Sequence, residues 1–406
     1  MIELRLEHST VTERDFSNLR EELAEIRVLE KPPFTSQETN FPELEKKLKP
    51  FMKYKNIILV GNGGSINSFK AFFGAIAKGR TEKNLEIICT MEPDFLNEVK
   101  AKYSKEDSLV LVISSSGVNI GAIEIMLYFK EYRKLIITLP DQGALIEIAR
   151  KQKIPFLPAP KLCDRFAGAS SYAFIPAMLF GIKAEKILEG AREMYDKCSP
   201  LTPIERNPAL QLSAALYELE HKGFTELFVP VYSARITAFL PLIIQLIHET
   251  LAKEGKGLTV FGDLAPESQH HTNQRFFGGR KNIAGLFIKI ERQADEKSKV
   301  TVPGELKKIK LRDGTTGELN GVPYLKALEF EFKGTLEDSV KHGIPSIILS
   351  IDSVNEFSAG ELIAFLHYFA FYSAVLRKVN PFEQNQVEES KRISFEYRKK
   401  FREHKK

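Results

Sequence analysis

The sequence predicts an α/β protein built as a three-layer αβα sandwich with parallel sheets. Short apolar runs rich in β-branched residues alternate with longer helical patterns over most of the 406 residues, which is typical of parallel α/β units. Loops rich in Gly, Ser and Asn follow two of the predicted strands directly. Because one domain usually has ~100–200 residues, the length predicts two domains.

The first half of the chain contains four predicted strands. They are NIILV at 56–60, LEIIC at 85–89, SLVLVIS at 108–114 and KLIITL at 134–139. Each is a short apolar run between turn residues or helical patterns, as expected for buried parallel strands. A helix is predicted after the loop that follows the first strand, and another after the loop that follows the third. This half therefore predicts one sheet covered by helices.

The same pattern restarts after the Pro-rich segment CSPLTPIERNP at 198–208, which predicts a linker. Strands are predicted at 225–233, 257–262, 283–290 and 345–352, and helices at 209–221, 237–253 and 358–378. The aromatic-rich helix at 358–378 is interpreted as a core element rather than an interface. The polar segment at 291–321 predicts a surface excursion with an edge hairpin. A charged helix is predicted at the C-terminus.

Composition excludes several classes of protein. Hydrophobic residues make up 43% and charged residues 27%, as in an average globular protein, which excludes collagen, coiled coils and wholesale disorder. The uninterrupted apolar runs are far shorter than the ~20 residues of a membrane helix, and MIELRLEHST lacks the apolar core of a signal peptide. Cys89, Cys163 and Cys198 are widely spaced, so they predict no disulfide framework and favour a reducing, cytoplasmic compartment.

The basic excess is concentrated in the last segment, SKRISFEYRKKFREHKK, although the whole chain has a net charge of only +5. A basic tail can bind nucleic acid, but a solvated helix face is the preferred interpretation. The sequence contains no DNA-binding signature. We therefore expect neither a nucleic-acid partner nor a membrane.

Two loops are candidates for binding an anion. GNGGS at 61–65 and ISSSGVN at 113–119 each follow an apolar strand and offer backbone N–H groups at the start of a helix. Such loops suit a phosphate, whereas each alone could be an ordinary turn. A P-loop is excluded because no Lys-Ser or Lys-Thr follows the glycines. A dinucleotide fold is disfavoured because G-x-G-x-x-G is absent.

The candidates for acid–base chemistry lie in the second half. Glu249 ends an apolar helix, and His270 and His271 lie in the loop APESQHHTNQ. His248 and Glu249 could begin a zinc-binding helix, but Ala252 stands where the second His is needed, so zinc is rejected. In the simpler interpretation Glu249 forms an ion pair with Lys253 at i,i+4, and the histidines are polar loop residues.

These residues together resemble the glucose-6-phosphate isomerase family in its short prokaryotic form, over roughly residues 40–395. The matching segments are GNGGS, ISSSGVN, DRF at 164–166, ETLAKEGKG at 249–257, ESQH at 267–270 with Gln274, and FEQNQVEESK at 382–391. No segment is specific alone, but their order and spacing are. The resemblance implies two tandem sugar-isomerase (SIS) domains at 40–197 and 205–380, an N-terminal arm at 1–39, and a C-terminal helix at 381–406 carrying Lys391.

The resemblance also implies roles for the matched residues. Glu249 would move a proton between C1 and C2, as a carboxylate of moderate pKa can. Arg165 would stabilise the cis-enediolate, and His270 with Lys391 would open the sugar ring. The residues expected to face the sugar or its phosphate are Gly64, Ser65, Ser114, Ser115, Ser116, Asn119 and Gln384. No metal or cofactor is implied. The family shares its active site across a homodimer, with the histidine crossing over.

Departures from the family pattern cluster at the phosphate end. Ser115 replaces a basic residue, Asn119 replaces a Thr, and Gly121 and Ala122 replace Glu-Thr. Asp164 replaces a Gly beside Arg165, with which it could form an ion pair. Because charge-assisted hydrogen bonds are about twice as strong as neutral ones, losing the cation should weaken phosphate binding. The sequence therefore predicts ordinary isomerase chemistry with altered phosphate recognition.

Two other functions stay open from the sequence. One is a related sugar-phosphate isomerase, acting for example on mannose 6-phosphate. The other is a non-catalytic SIS-type protein that binds sugar phosphates without moving a proton. The presence of Glu249, His270 and Lys391 argues against pure binding, which needs none of them.

Overall fold

Two five-stranded sheets form the centre of the molecule in the computed structural model, which describes residues 2–294 and 297–403. The strands are β1 (Ile2–Arg5), β2 (Asn56–Val60), β3 (Asn84–Ile88), β4 (Ser108–Ile113), β5 (Arg133–Thr138), β6 (Phe156–Pro158), β7 (Glu226–Tyr232), β8 (Thr259–Leu264), β9 (Ile283–Ile290) and β10 (Ser346–Ile351). All eight predicted strands are confirmed to within two residues at each end.

The helices that cover the sheets confirm the predicted α/β class. They are α1 (Glu13–Asn18), α2 (Arg20–Arg27), α3 (Phe41–Leu48), α4 (Gly64–Phe72), α5 (Pro93–Lys102), α6 (Ile120–Tyr128), α7 (Ala144–Gln152), α8 (Ser171–Leu179), α9 (Ala184–Lys197), α10 (Pro208–His221), α11 (Leu240–Leu251), α12 (Thr272–Gly278), α13 (Tyr324–Lys341), α14 (Glu356–Leu376) and α15 (Glu388–Glu403). The predicted charged C-terminal helix is α15.

The first sheet is parallel throughout, in the order β3-β2-β4-β5-β6. Every residue of β4 is buried because helices cover both faces, which explains why this strand is a continuous apolar run. The edge strand β6 was not predicted, since it has three residues and ends in Pro158. The chain order is that of a doubly wound sheet, in which ligands bind where the strand order reverses.

The second sheet repeats this path, in the order β1-β10-β9-β7-β8. Its last position is taken by β1, which pairs antiparallel with β10 and buries Ile2. The N-terminal segment therefore adds a strand to the second sheet, whereas the sequence predicted only an arm. The four residues of β1 are too few for the period of a strand to stand out in a sequence.

The aromatic-rich helix α14 lies in the core, as predicted, and packs against α9 and α10. Contrary to the expectation from uninterrupted apolar runs, this helix has the length and hydropathy of a membrane span, but 94% of that window is buried inside the protein. Gly190 of α9 and Gly360 of α14 let the two backbones approach closely, because a Cβ on Gly360 would lie 1.9 Å from the carbonyl oxygen of Ile187.

The Pro-rich segment at 198–208 connects the two halves as a packed turn rather than a loose linker. Buried Asn207 accepts a hydrogen bond from the backbone N–H of Leu210, which caps α10. Its amide donates to the carbonyl oxygens of Cys198 and Ser199, each at 3.2 Å. The Tyr372 hydroxyl of α14 also donates to the carbonyl oxygen of Cys198. The side chains of α14 therefore fix the connection.

The predicted edge hairpin in the polar segment 291–321 is wrong. Its described residues, 291–294 and 297–321, contain short 3₁₀ turns and take part in two isolated bridges, Lys299 with Pro323 and Lys310 with Thr315. Most of the segment is exposed. Without an apolar face to bury, there is little to hold two strands in register.

Candidate active site

The two Gly- and Ser-rich loops lie side by side because β2 and β4 are neighbours in the first sheet. The loop after β2 leads into α4 and the loop after β4 leads into α6. Both helix N-termini therefore face the point where the strand order reverses, with backbone N–H groups available to an anion. This is the arrangement that the sequence predicted for a phosphate.

The glycines of the first loop allow a close approach to the segment that carries Arg165. Gly63 has a φ of +60°, a conformation that favours glycine, and it precedes α4. A Cβ on Gly64 would lie 2.4 Å from the backbone carbonyl carbon of Asp164. The predicted binding residue Gly64 therefore serves packing between the two segments, and both Gly64 and the buried Ser65 after it line the cavity.

The second loop places its polar side chains at different depths. Ser114 is buried, Ser115 and Asn119 are partly buried, and Ser116 is exposed. Asn119 caps α6, since its side-chain oxygen accepts a hydrogen bond of 3.0 Å from the backbone N–H of Ala122. The loop therefore offers three hydroxyls and the first amides of α6.

Asp164 bridges the two loops. Its carboxylate accepts a hydrogen bond from Ser65 Oγ at 2.9 Å and another from Ser115 Oγ. The expected ion pair between Asp164 and Arg165 is not found among the described residues, because the guanidinium points to other partners. Loss of hydration raises the pKa of Asp164 to about 6, and the nearby Glu249 carboxylate acts in the same direction.

Arg165 lies beneath the cavity, and none of its side chain is exposed. Its Nε donates to Thr250 Oγ1 at 3.0 Å and its Nη1 donates to Gln384 Oε1 at 2.7 Å. Its Nη2 donates to the carbonyl oxygens of Pro381 and Glu383. The guanidinium thereby ties the start of the C-terminal segment to the first sheet.

Glu249 projects from the last turn of α11 into the same cavity. Gln245, one turn earlier, donates to its Oε1 at 3.0 Å, and Arg165 Nη1 lies 3.4 Å from its Oε2. The alternative ion pair with Lys253 does not form, because Lys253 Nζ donates to the carbonyl oxygen of Asn380. Glu249 is therefore held in place by two donors and remains partly open to the cavity.

The C-terminal segment closes one side of the cavity. Phe382 packs against Phe166, with ring centroids 5.6 Å apart. Further on, Arg398 of α15 donates to both carboxylate oxygens of Glu124 in α6, at 2.6 and 2.8 Å. Lys391 lines the cavity, where its ammonium donates to Glu388 at 2.7 Å.

His270 lies at a different place. It is exposed and ends a 3₁₀ turn after β8, while Nε2 of its neighbour His271 lies 3.5 Å from Asp263 Oδ2. Within the described residues, neither His270 nor Arg165 lines the cavity. The chain therefore brings Glu249, Lys391 and Gln384 together with the two loops, and it leaves His270 outside.

The cavity has a volume of about 1420 Å³. Sequence reasoning did not single out Gln245, Lys161, Arg392 or Arg398, which also line it. Gln245 could have been found, because it lies one helical turn before Glu249 on the same face of α11. Arg392 and Arg398 could not, since an exposed helix such as α15 is rich in Lys and Arg for solubility alone, and Lys161 is a single cation in a loop without any motif around it.

Relatives named as glucose-6-phosphate isomerases match most of the chain. It is 26% identical to glucose-6-phosphate isomerase from Methanocaldococcus jannaschii over 86% of this chain and 85% of the relative. It is also 26% identical to glucose-6-phosphate isomerase from Acholeplasma laidlawii, over 87% of this chain and 86% of the relative. No family model matches the chain.

Solved structures share the fold. A hypothetical protein from Thermus thermophilus superposes with a TM-score of 0.86 at 20% identity, covering 98% of this chain and 99% of that protein. A glucose-6-phosphate isomerase from Chlamydia trachomatis superposes with a TM-score of 0.79 at 17% identity, covering 99% of this chain and 89% of the other. In sequence and in fold, the chain is therefore similar to glucose-6-phosphate isomerases.

Proposed function

We propose that this protein interconverts glucose 6-phosphate and fructose 6-phosphate through a cis-enediolate. The observation that carries the proposal is the position of Glu249, which lies in one cavity with both candidate phosphate loops and is held there by Gln245 and Arg165. A base must collect the proton from one carbon and return it to the next, and a fixed carboxylate suits that task.

The phosphate end would be held by the two loops. Ser65, Ser114, Ser115 and Ser116 offer hydroxyls, and the starts of α4 and α6 offer backbone amides. Gln384, which accepts from Arg165 and lines the cavity, would contact the sugar through its amide group. Arg165 would stabilise the charge of the enediolate from beneath, through the groups that it holds.

Ring opening would need a second subunit. Lys391 lines the cavity, but the His270 of the same chain is exposed and lies outside it. A homodimer in which His270 of the partner subunit reaches the cavity would complete the acid–base set. The two sheet units would be the SIS domains 40–197 and 205–380, joined by the packed turn that contains Asn207. The free cysteines are compatible with a cytoplasmic location.

Replacement of Glu249 tests the proposed activity. Glu249→Gln keeps the size of the side chain and removes the base, so we expect turnover of fructose 6-phosphate to fall by at least ~10²-fold, the lower end of what a positioned base contributes. The measurement is a coupled assay of glucose 6-phosphate formation, together with solvent deuterium incorporation at C2. Exposed Glu193→Gln on α9 is the matched control and should keep full activity.

The outcomes separate the candidate functions. Full turnover by Glu249→Gln contradicts the assigned base. If mannose 6-phosphate is converted to fructose 6-phosphate faster than glucose 6-phosphate is, with fructose 6-phosphate measured as the product of both, the related substrate would replace the proposed one. Saturable binding of fructose 6-phosphate by the wild-type protein, without turnover or deuterium incorporation, would instead identify a binding protein.

A further inference from the structure

Asp164 is the acidic side chain that lies between the two phosphate loops. Its two carboxylate oxygens accept one hydroxyl from each loop, Ser65 on one side and Ser115 on the other. A serine hydroxyl has a single proton to donate. Both protons that the loops could give to a phosphate at this point are therefore given to Asp164 in the structure.

We propose that Asp164 is a specificity-determining residue that allows a sugar phosphate to bind between Ser65 and Ser115 only when the site takes up one proton. The inference rests on the proposed function, because it concerns the phosphate end of the same cavity. It identifies the ligand as a phosphate bound beside a neutral carboxylic acid, rather than a phosphate bound by a cation.

Phosphate binding requires this proton because of the number of hydrogen-bond donors and acceptors at the site. An ionised carboxylate and a phosphate dianion are both acceptors only, so they repel each other and compete for the same two hydroxyls. A protonated Asp164 becomes a donor to a phosphate oxygen and releases the hydroxyls. Uptake of one proton therefore frees both serine hydroxyls and turns Asp164 into a donor. A phosphate then meets three donors, which are Asp164, Ser65 and Ser115.

The surrounding charges do not remove this conflict. The groups that face the carboxylate are Ser65 of α4, Ser115 of the second loop, Cys163 and Arg165 beside it in the chain, Tyr172 of α8, Glu249 of α11 and Lys391 of α15. Arg165 directs its N–H groups to Glu249, Gln384 and the 381–383 backbone, and Lys391 donates to Glu388. Glu249 adds a further negative charge.

The sign of the pH effect follows from the pKa of Asp164, which is raised to about 6. Above that pH the free protein holds Asp164 ionised, so phosphate binding must include proton uptake. The affinity should therefore fall as the pH rises from 6 to 8. The phosphate of the ligand has its own pKa of about 6, so a variant is needed to separate the two groups.

The test is calorimetric titration with glucitol 6-phosphate, which has no carbonyl group and cannot be isomerised. Titrations at pH 7.5 in buffers of different ionisation enthalpy give the number of protons taken up. We expect close to one proton per bound ligand for the wild-type protein and close to none for Asp164→Asn. The variant should bind roughly thirtyfold tighter at pH 7.5, which lies about 1.5 pH units above the raised pKa of Asp164. Exposed Asp313→Asn is the matched control and should match the wild type.

Several results of these titrations would overturn the role proposed for Asp164. Tight wild-type binding without proton uptake overturns the inference, and so does uptake that persists in Asp164→Asn, because the proton would then belong to another group. Absence of binding by the wild type at pH 6 and by the variant at pH 7.5 also overturns it. If Asp164→Asn does not fold, Asp164→Gly gives the same comparison. Proton uptake without isomerase activity would overturn the proposed function alone.

Discussion

At the scale of single residues, Arg165 is buried beneath the cavity and binds the start of the C-terminal segment. The resemblance assigns it to the enediolate, but its guanidinium is fully buried and holds Gln384 and the backbone at 381–383. An arginine can make several such bonds at once because its N–H groups are fixed in a plane. It therefore links Glu249, the proposed base, to the C-terminal segment.

Arg165→Lys tests this linking role. A lysine cannot reproduce the planar set of donors, so buried carbonyl oxygens would lose their partners. We expect the free energy of unfolding to fall by about 2–4 kcal/mol, since each unsatisfied buried group costs ~1–3 kcal/mol. Urea unfolding gives this value, and limited proteolysis should cut faster within 381–403. Exposed Arg192→Lys is the control, and unchanged proteolysis of Arg165→Lys would contradict the role.

At the scale of elements, the core depends on the close contact between α9 and α14. Glycines at the crossing let each backbone touch the other, with Gly190 facing Phe357 and Gly360 facing Ile187. α14 carries large aromatic side chains elsewhere along its length, so the crossing point is set by the two small residues. The position of Phe371, which packs against Phe382 at the cavity, follows from that crossing.

Gly360→Ala measures the importance of this crossing. The added methyl would meet backbone atoms, which cannot move aside as a side-chain end can, so we expect a loss of about 1–3 kcal/mol in the free energy of unfolding. Gly334→Ala in α13 is the matched control, because a Cβ added at this position would enter open space. A helical Gly→Ala change with open space should stabilise by ~0.5–1 kcal/mol. Equal effects of the two changes in urea unfolding would contradict the close-contact argument.

At the scale of the whole molecule, the site is incomplete in one chain if His270 takes part. Glu249 and Lys391 line the cavity, whereas His270 is exposed elsewhere on the second sheet unit. A twofold dimer would bring each histidine to the opposite cavity.

Subunit mixing tests the shared site. Glu249→Gln and His270→Ala should each be inactive as homodimers. If they are unfolded and refolded together in equal amounts, half of the dimers are mixed and each mixed dimer has one intact site, so activity should return to about a quarter of the wild type. Sedimentation should show a dimer. Failure to recover any activity from folded, mixed dimers would show that the two residues do not act across the interface.

The sequence by itself determined eight strands, the order of the functional segments and a set of helices, namely α4, α6, α10, α11, α14 and α15. The spacing of apolar residues and the residue types of turns are local features of the sequence. Eight strands and the loops after β2 and β4 could therefore be recognised without a structure. It also made the serines candidates through their place in the two loops, and Glu249 a candidate through the family resemblance. The edge strands β1 and β6 were not predicted, because they are too short to show an alternation of apolar and polar residues.

Only the tertiary structure decided which of these residues meet. Asp164 bridges Ser65 and Ser115, although 99 positions separate it from the first of these serines, and Arg165 reaches Gln384 across 219 positions. Such contacts depend on the adjacency of β2 and β4 and on the packing of α14, which no local pattern contains. For the same reason the sequence could list His270 beside Glu249 as one set, while the fold of a single chain keeps them apart.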